Sequence, residues 1–150
     1  MKLAEALQER ADVNRRVEQL RSRLSRNATV QEGEKPAEDP EELIKELDSC
    51  IARLEELMGR INRTNSQTMI NGRSLTELIA KRDALNLKIS VYRNFLDMAS
   101  NLSGRATRNE IKVYSTVNVR ELQKKVDDMS RDLRLTDNAL QQANWTVELI

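Results

Sequence analysis

Leu43-Ile44-Lys45-Glu46-Leu47-Asp48-Ser49-Cys50-Ile51-Ala52-Arg53-Leu54-Glu55-Glu56-Leu57-Met58-Gly59-Arg60-Ile61 puts Leu43, Leu47, Cys50, Leu54, Leu57 and Ile61 at steps of three and four. Steps of that size bring the six side chains onto one face of an α-helix, with Lys, Glu, Asp and Arg on the rest. Three more stretches repeat the pattern: Val13, Val17, Leu20 and Leu24; Leu75, Leu78, Leu85, Ile89, Tyr92, Leu96 and Ala99; and Val119, Leu122, Val126, Met129, Leu133, Leu140 and Ala143. Each marks an amphipathic helix, four in all. Charged residues make up 33% of the 150 and aromatics only 3%, a composition closer to helical bundles than to sheet proteins, which favour aromatic and β-branched residues, and an all-α fold is expected.

Punctuation fixes the boundaries. The first helix should run over 2–26 and end where Asn27 to Gly33 loses the period. Asp39-Pro40-Glu41-Glu42 then offers a capping carboxylate, a proline where its missing N–H costs nothing, and acids suited to the helix dipole, starting a second helix that reaches about Arg63. The polar stretch Thr64 to Arg73, with its Asn71-Gly72 turn dipeptide, reads as a loop before the capping-box sequence Ser74-Leu75-Thr76-Glu77. A third helix ends near Leu102. Alternation of Ile111, Val113, Ser115 and Val117 predicts a short strand over 110–117, and a fourth helix runs from Asn118 to about Trp145. Each helix would be about 36 to 42 Å long at 1.5 Å per residue. The expectation is one domain, residues 1–150, built as an antiparallel four-helix bundle with a β-element in its connections.

The chemistry available is narrow. No histidine is present, which removes Ser-His-Asp and Cys-His nucleophile systems, His-containing zinc sites and the Glu-x-x-His pairs of di-iron bundles. No glycine sequence resembles a nucleotide-binding loop. No catalytic, cofactor-binding or metal-binding residue is assigned, and the reading leans away from an enzyme. Cys50, the single cysteine, sits on an interior stripe beside acids and reads as a small hydrophobe. Trp145 is expected to close a bundle end rather than anchor a partner. With no signal peptide or membrane-length apolar run, a cytoplasmic protein without a transmembrane segment is expected.

Charge is segregated although the net value is +1. Eight acids and two lysines fall between Asn27 and Asp48, and ten basic residues against four acids between Gly59 and Lys112. Arg63, Arg73, Arg105, Arg108 and Lys112 are candidate loop interaction residues. In an up-down bundle Arg105, Arg108 and Lys112 share an end with the acidic first connection and should pair with it, while Arg63 and Arg73 lie at the other end; with no stacking aromatics, nucleic acid is disfavoured as a partner. Inside the bundle the interior frames break at Arg10, Arg82 and Thr136 at nearly one level, with Glu55 and Asp137 at the same height. These five are expected to form a polar layer that fixes helix register or holds a small anion.

Leu3-Ala4-Glu5-Ala6-Leu7-Gln8-Glu9-Arg10-Ala11-Asp12, Asn27-Ala28-Thr29-Val30-Gln31-Glu32-Gly33, Glu38-Asp39-Pro40, Ile61-Asn62-Arg63-Thr64-Asn65, Ala80-Lys81-Arg82-Asp83 and Asn144-Trp145-Thr146 resemble a family of small bacterial proteins labelled septicolysin-like. The resemblance covers nearly the full chain and implies a membrane-active toxin, without catalytic or binding residues to transfer. The residues themselves favour another reading: a non-enzymatic helical protein acting through self-association, as a dimer or higher homo-oligomer, or through another helical protein. Leu7 and Ala11 on the first helix, and Ile44, Ile51 and Met58 on the second, supply an extra apolar stripe for that contact.

Overall fold

The computed structural model of the protein describes residues 1–102 and 111–150. Its elements are α1 (Leu3–Arg26), α2 (Pro40–Gln67), β1 (Met69–Ile70), β2 (Arg73–Ser74), α3 (Leu75–Ser100) and α4 (Val119–Thr146). The all-α class of four long helices with a small β-element is borne out. The chain divides into two compact units, Met1–Ser74 with Ala143–Ile150, and Leu75–Gln142.

In the first unit α1 and α2 pack side by side. Val13, Val17, Leu20 and Leu24 meet Leu43, Leu47 and Cys50, and Leu57 and Ile61 are buried further along α2. The expected interior place of Cys50 is therefore found. Asp39 caps α2 by accepting a hydrogen bond from the Glu41 amide at 3.0 Å, with Pro40 at the first helical position. The reciprocal device opens α1, where the Lys2 amide donates to Glu5 at 2.6 Å.

α2 continues one turn past Arg63, to Gln67. Thr64 makes this extension stable despite its polar sequence: it is fully buried, and its hydroxyl donates to the Arg60 carbonyl at 2.9 Å. Beyond α2 the chain forms a hairpin rather than a plain loop. β1 pairs antiparallel with β2, Met69 opposite Ser74 and Ile70 opposite Arg73. Asn71 and Gly72 take φ of 50° and 83°, the double left-handed conformation that a two-residue hairpin turn needs. The strand expected over 110–117 is a correction: residues 111–117 form none, and Glu110 lies outside the described residues. Among the described residues that alternation has no second strand to bond, and Ile111 stays 69% exposed.

The second unit is α3 with α4 as far as Gln142. Leu78, Ile89 and Leu96 on α3, and Val126 and Leu140 on α4, are buried. Asn118 caps α4 by accepting from the Glu121 amide at 3.2 Å. Cross-links between the helices run in opposite senses along them, from Arg82 with Asp137 to Tyr92 with Lys125, so the pair is antiparallel.

Residues 147–150 close the first unit. Leu3 donates its amide to the Val147 carbonyl at 3.0 Å, and Leu149 donates to the Met1 carbonyl at 2.8 Å. Ile150 donates its amide to the Thr64 hydroxyl at 3.0 Å, while Arg60 donates to the Ile150 carbonyl at 3.0 Å. Thr64 thus both gives and receives a hydrogen bond inside the fold. Thr64→Val keeps its shape but leaves the Ile150 amide unmatched, and should cost about 1 to 2 kcal/mol by urea denaturation. An unchanged midpoint would show that the Thr64–Ile150 hydrogen bond contributes nothing to the first unit.

Candidate functional site

The seam between α1 and α2 is edged by ion pairs at regular steps. Glu9 holds Arg53 with two hydrogen bonds, at 2.6 and 2.8 Å. Arg16 donates to Glu46 at 2.7 Å, and Arg23 grips both oxygens of Glu38 at 3.2 and 3.1 Å. The α1 members 9, 16 and 23 are seven residues apart, two helical turns, while their partners step backwards along α2 and its lead-in. This ladder sets the antiparallel register. Glu38 is fixed a second way, because its amide donates to the buried Asn27 side chain at 3.0 Å. Hydrogen bonding from the paired guanidinium holds the Glu9 and Glu38 carboxyls below the usual carboxylate range; Arg53 does the same for Glu56, and Lys2 for Glu148.

The five residues of the expected polar layer divide between the units. In the second, Arg82 lies 3.9 Å from Asp137 and 3.2 Å from Asp83, and Thr136 is buried beside them in sequence. Arg82, Asp137, Asn86, Leu133 and Arg134 line a surface hollow of about 380 Å³. In the first unit Arg10 is half-buried on α1 and Glu55 is exposed on α2. At the edge of the α1–α2 seam the ion pair is made by Glu9 and Arg53, while Glu55 is exposed.

Of the basic loop residues, Arg63, Arg73 and Lys112 are exposed, and Arg105 and Arg108 lie outside the described residues. Within the acidic first connection Glu38 finds its cation on α1, at Arg23. Trp145 is 57% exposed, so it does not close a bundle end as expected. The described residues contain no cluster of three or more carboxylates or thiols placed to hold a metal ion. A hollow of about 520 Å³ lies in the second unit between the end of α3 and residues 113–116, lined by Phe95, Met98, Val113 and Tyr114 with Ser115 and Thr116 at its polar side.

The more extensive feature is apolar surface in rows. Ile44, Ile51 and Met58 on α2 stand 47%, 44% and 45% exposed at seven-residue steps, in keeping with the extra stripe; on α1 Ala11 is exposed and Leu7 is half-buried. A second row, on α3, escapes the sequence reading. Leu87, Val91, Phe95 and Met98 are 69%, 57%, 47% and 68% exposed, on the side of α3 away from its buried Ile89 and Leu96. The signal is present in the chain, as Ala80, Ala84, Leu87 and Val91 follow at steps of four, three and four and Met98 lies one heptad further on.

Residues 10–149 match the profile of a family of unknown function, DUF6847. The chain belongs to that family. A solved structure described as a functionally unknown conserved protein from Corynebacterium diphtheriae is 40% identical, covers 100% of this chain and 99% of its own, and superposes with a TM-score of 0.88. No curated protein matches. Nothing in these likenesses supports the septicolysin-like label. What the family member offers to chemistry is therefore its own surface: two apolar rows and edges of paired charge.

The lowered carboxyls give a pH signature. Their stabilisation is complete above the pH range where carboxyls of an unfolded chain titrate, about pH 4, and is lost as pH falls through their depressed folded values. Thermal midpoints should hold from neutrality to about pH 5 and then fall with acid. In Glu9→Gln the acid fall should be shallower. Parallel curves for the two proteins would mean the Glu9–Arg53 rung adds nothing.

Proposed function

We propose that this family member is a non-enzymatic helical protein that works by self-association, its helices supplying the contact surface and residues 1–150 acting as one domain. The exposed apolar rows carry this reading. Soluble proteins leave single apolar residues on their surfaces freely, but contiguous rows at helical spacing are a mark of a contact surface. On α2 the row repeats every seven residues, the period with which one helix meets another. Another helical protein would fit such a row by the same chemistry, and the second copy is the simpler partner because two-fold dimers are the commonest assemblies.

The family's unknown function and the similarly uncharacterised neighbour lend no weight to a membrane-active alternative. No helix among the described residues is long and apolar enough to cross a membrane. Arg82 already has Asp83 and Asp137 beside it, so the polar layer reads better as a fastening of α3 to α4 than as an anion site. A cytoplasmic setting suits a chain whose single thiol is buried and unpaired.

Sedimentation velocity in the micromolar range should give twice the chain mass, with a thermal midpoint that rises with protein concentration. A single-chain mass that is unchanged on concentration would end the self-association reading.

A further inference from the structure

α3 carries two seams. Its buried residues Leu78, Ile89 and Leu96 serve one; Ala80, Ala84, Leu87, Val91, Asn94 and Met98, all exposed, succeed each other at steps of four, three, four, three and four along the other. A helix apolar on opposite sides is one that is covered on opposite sides, and α4 accounts for only one of them. The alternation of four and three is that of the core positions of a two-helix seam.

We propose that this second seam of α3 receives α3 of a second copy of the chain, parallel and in register. The inference rests on the self-association reading and names its surface, partner and orientation. Charge beside the seam selects both. Asp83 and Lys88 flank it on opposite sides, five residues apart, which is the offset at which side chains of a parallel pair reach across to one another. In register, Asp83 of each copy meets Lys88 of the other, twice per dimer by the two-fold axis. An antiparallel pair centred on the same row instead sets Lys88 against Lys88 and Asp83 against Asp97, like against like.

The local geometry suits the exchange. The Asp83 side chain is 65% exposed, with the neighbouring Arg82 guanidinium 3.2 Å away; Lys88 lies over the Tyr92 ring, 5.7 Å from its centre. Asn94 supplies the one polar level of the row. In register its amide faces that of the second copy and the two can bond each other, whereas a shifted pair would leave each amide against apolar side chains. The row begins at Ala80 and Ala84, whose small side chains let two helices approach closely, and the bulk lies at Leu87, Val91 and Met98.

Disulfide trapping tests the arrangement in the full-length chain. Ala80→Cys, Leu87→Cys and Val91→Cys each add one exposed thiol, with the wild type and its buried Cys50 as control. A parallel, in-register pair brings every such position close to its own copy, so all three variants should form a covalent dimer on mild oxidation and the wild type none. Positions 80 and 91 are about 16 Å apart along the helix, so an antiparallel dimer can self-link at no more than one of them. Charge reversal supplies a second readout: Asp83→Lys and Lys88→Asp should each weaken dimerisation about tenfold, and the double reversal should restore it. A dimer that fails to link at any one of the three positions, as an antiparallel pair centred near residue 89 must at position 80, or that ignores both reversals, overturns the parallel α3 seam while leaving self-association intact. A single-chain mass for the wild type overturns both.

Discussion

Two helices packed side by side can bury only one face of each, and most of this molecule's character stems from that constraint. The α1–α2 and α3–α4 pairs each cover one seam, and rows of apolar residues beyond those seams stand exposed. Ile44, Ile51 and Met58 on α2, and Leu87, Val91 and Met98 on α3, are exposed for this reason. Hydrophobic burial contributes about 25 cal/mol for each Å² removed from water. Leaving such rows uncovered therefore forfeits stability that a contact with another helix would recover.

With a thin core, the edges of the seam take on more of the task of specifying the structure. An apolar stripe alone tolerates a slip of one heptad, because a leucine seven residues on presents much the same surface. The rungs Glu9–Arg53, Arg16–Glu46 and Arg23–Glu38 do not tolerate it equally. A seven-residue slip of α1 would bring Arg16 to Arg53, a repulsion in place of a pair. The change of sign along α1, acid at 9 and base at 16 and 23, makes the register unique. Each rung is worth little as stability, since exposed pairs contribute only about 0 to 1 kcal/mol, yet together they discriminate among registers of similar burial.

The helices were legible because a period near 3.6 survives in sequence wherever one face is buried, and Asp39-Pro40 and Asn118 marked their starts without ambiguity. The hairpin was not, because two-residue strands are too short to alternate; Asn71-Gly72 announced a turn but not what it joined. Alternation at Ile111 to Val117 misled for the opposite reason, a strand pattern with no strand beside it among the described residues. α2 ran past its expected end because Thr64 looks polar in sequence, while in the fold its hydroxyl is satisfied by Arg60 and Ile150. The second row on α3 was hidden by the first: two apolar faces on opposite sides cancel in any measure of amphipathicity. The polar residues were placed by level along the helices, which sequence gives, and not by rotation and reach, which it does not. Arg82 and Asp137 therefore met, and Glu55 pointed to water.

The first unit is discontinuous in sequence: its last segment, Ala143–Ile150, with the strip 147–150 at its end, comes after the whole of the second unit. On the ribosome α1 and α2 can pair once α2 has emerged, but the amide of Leu3 and the hydroxyl of Thr64 must await partners some 80 residues later, roughly 4 to 16 s at ordinary rates of synthesis. Folding of this chain thus has a built-in order, a local hairpin first, the inserted α3–α4 pair next, and the long-range stitch at the end. During that interval the half-finished hairpin presents Leu3 and Thr64 unsealed, a window in which a chaperone or a protease meets a species that the finished fold conceals.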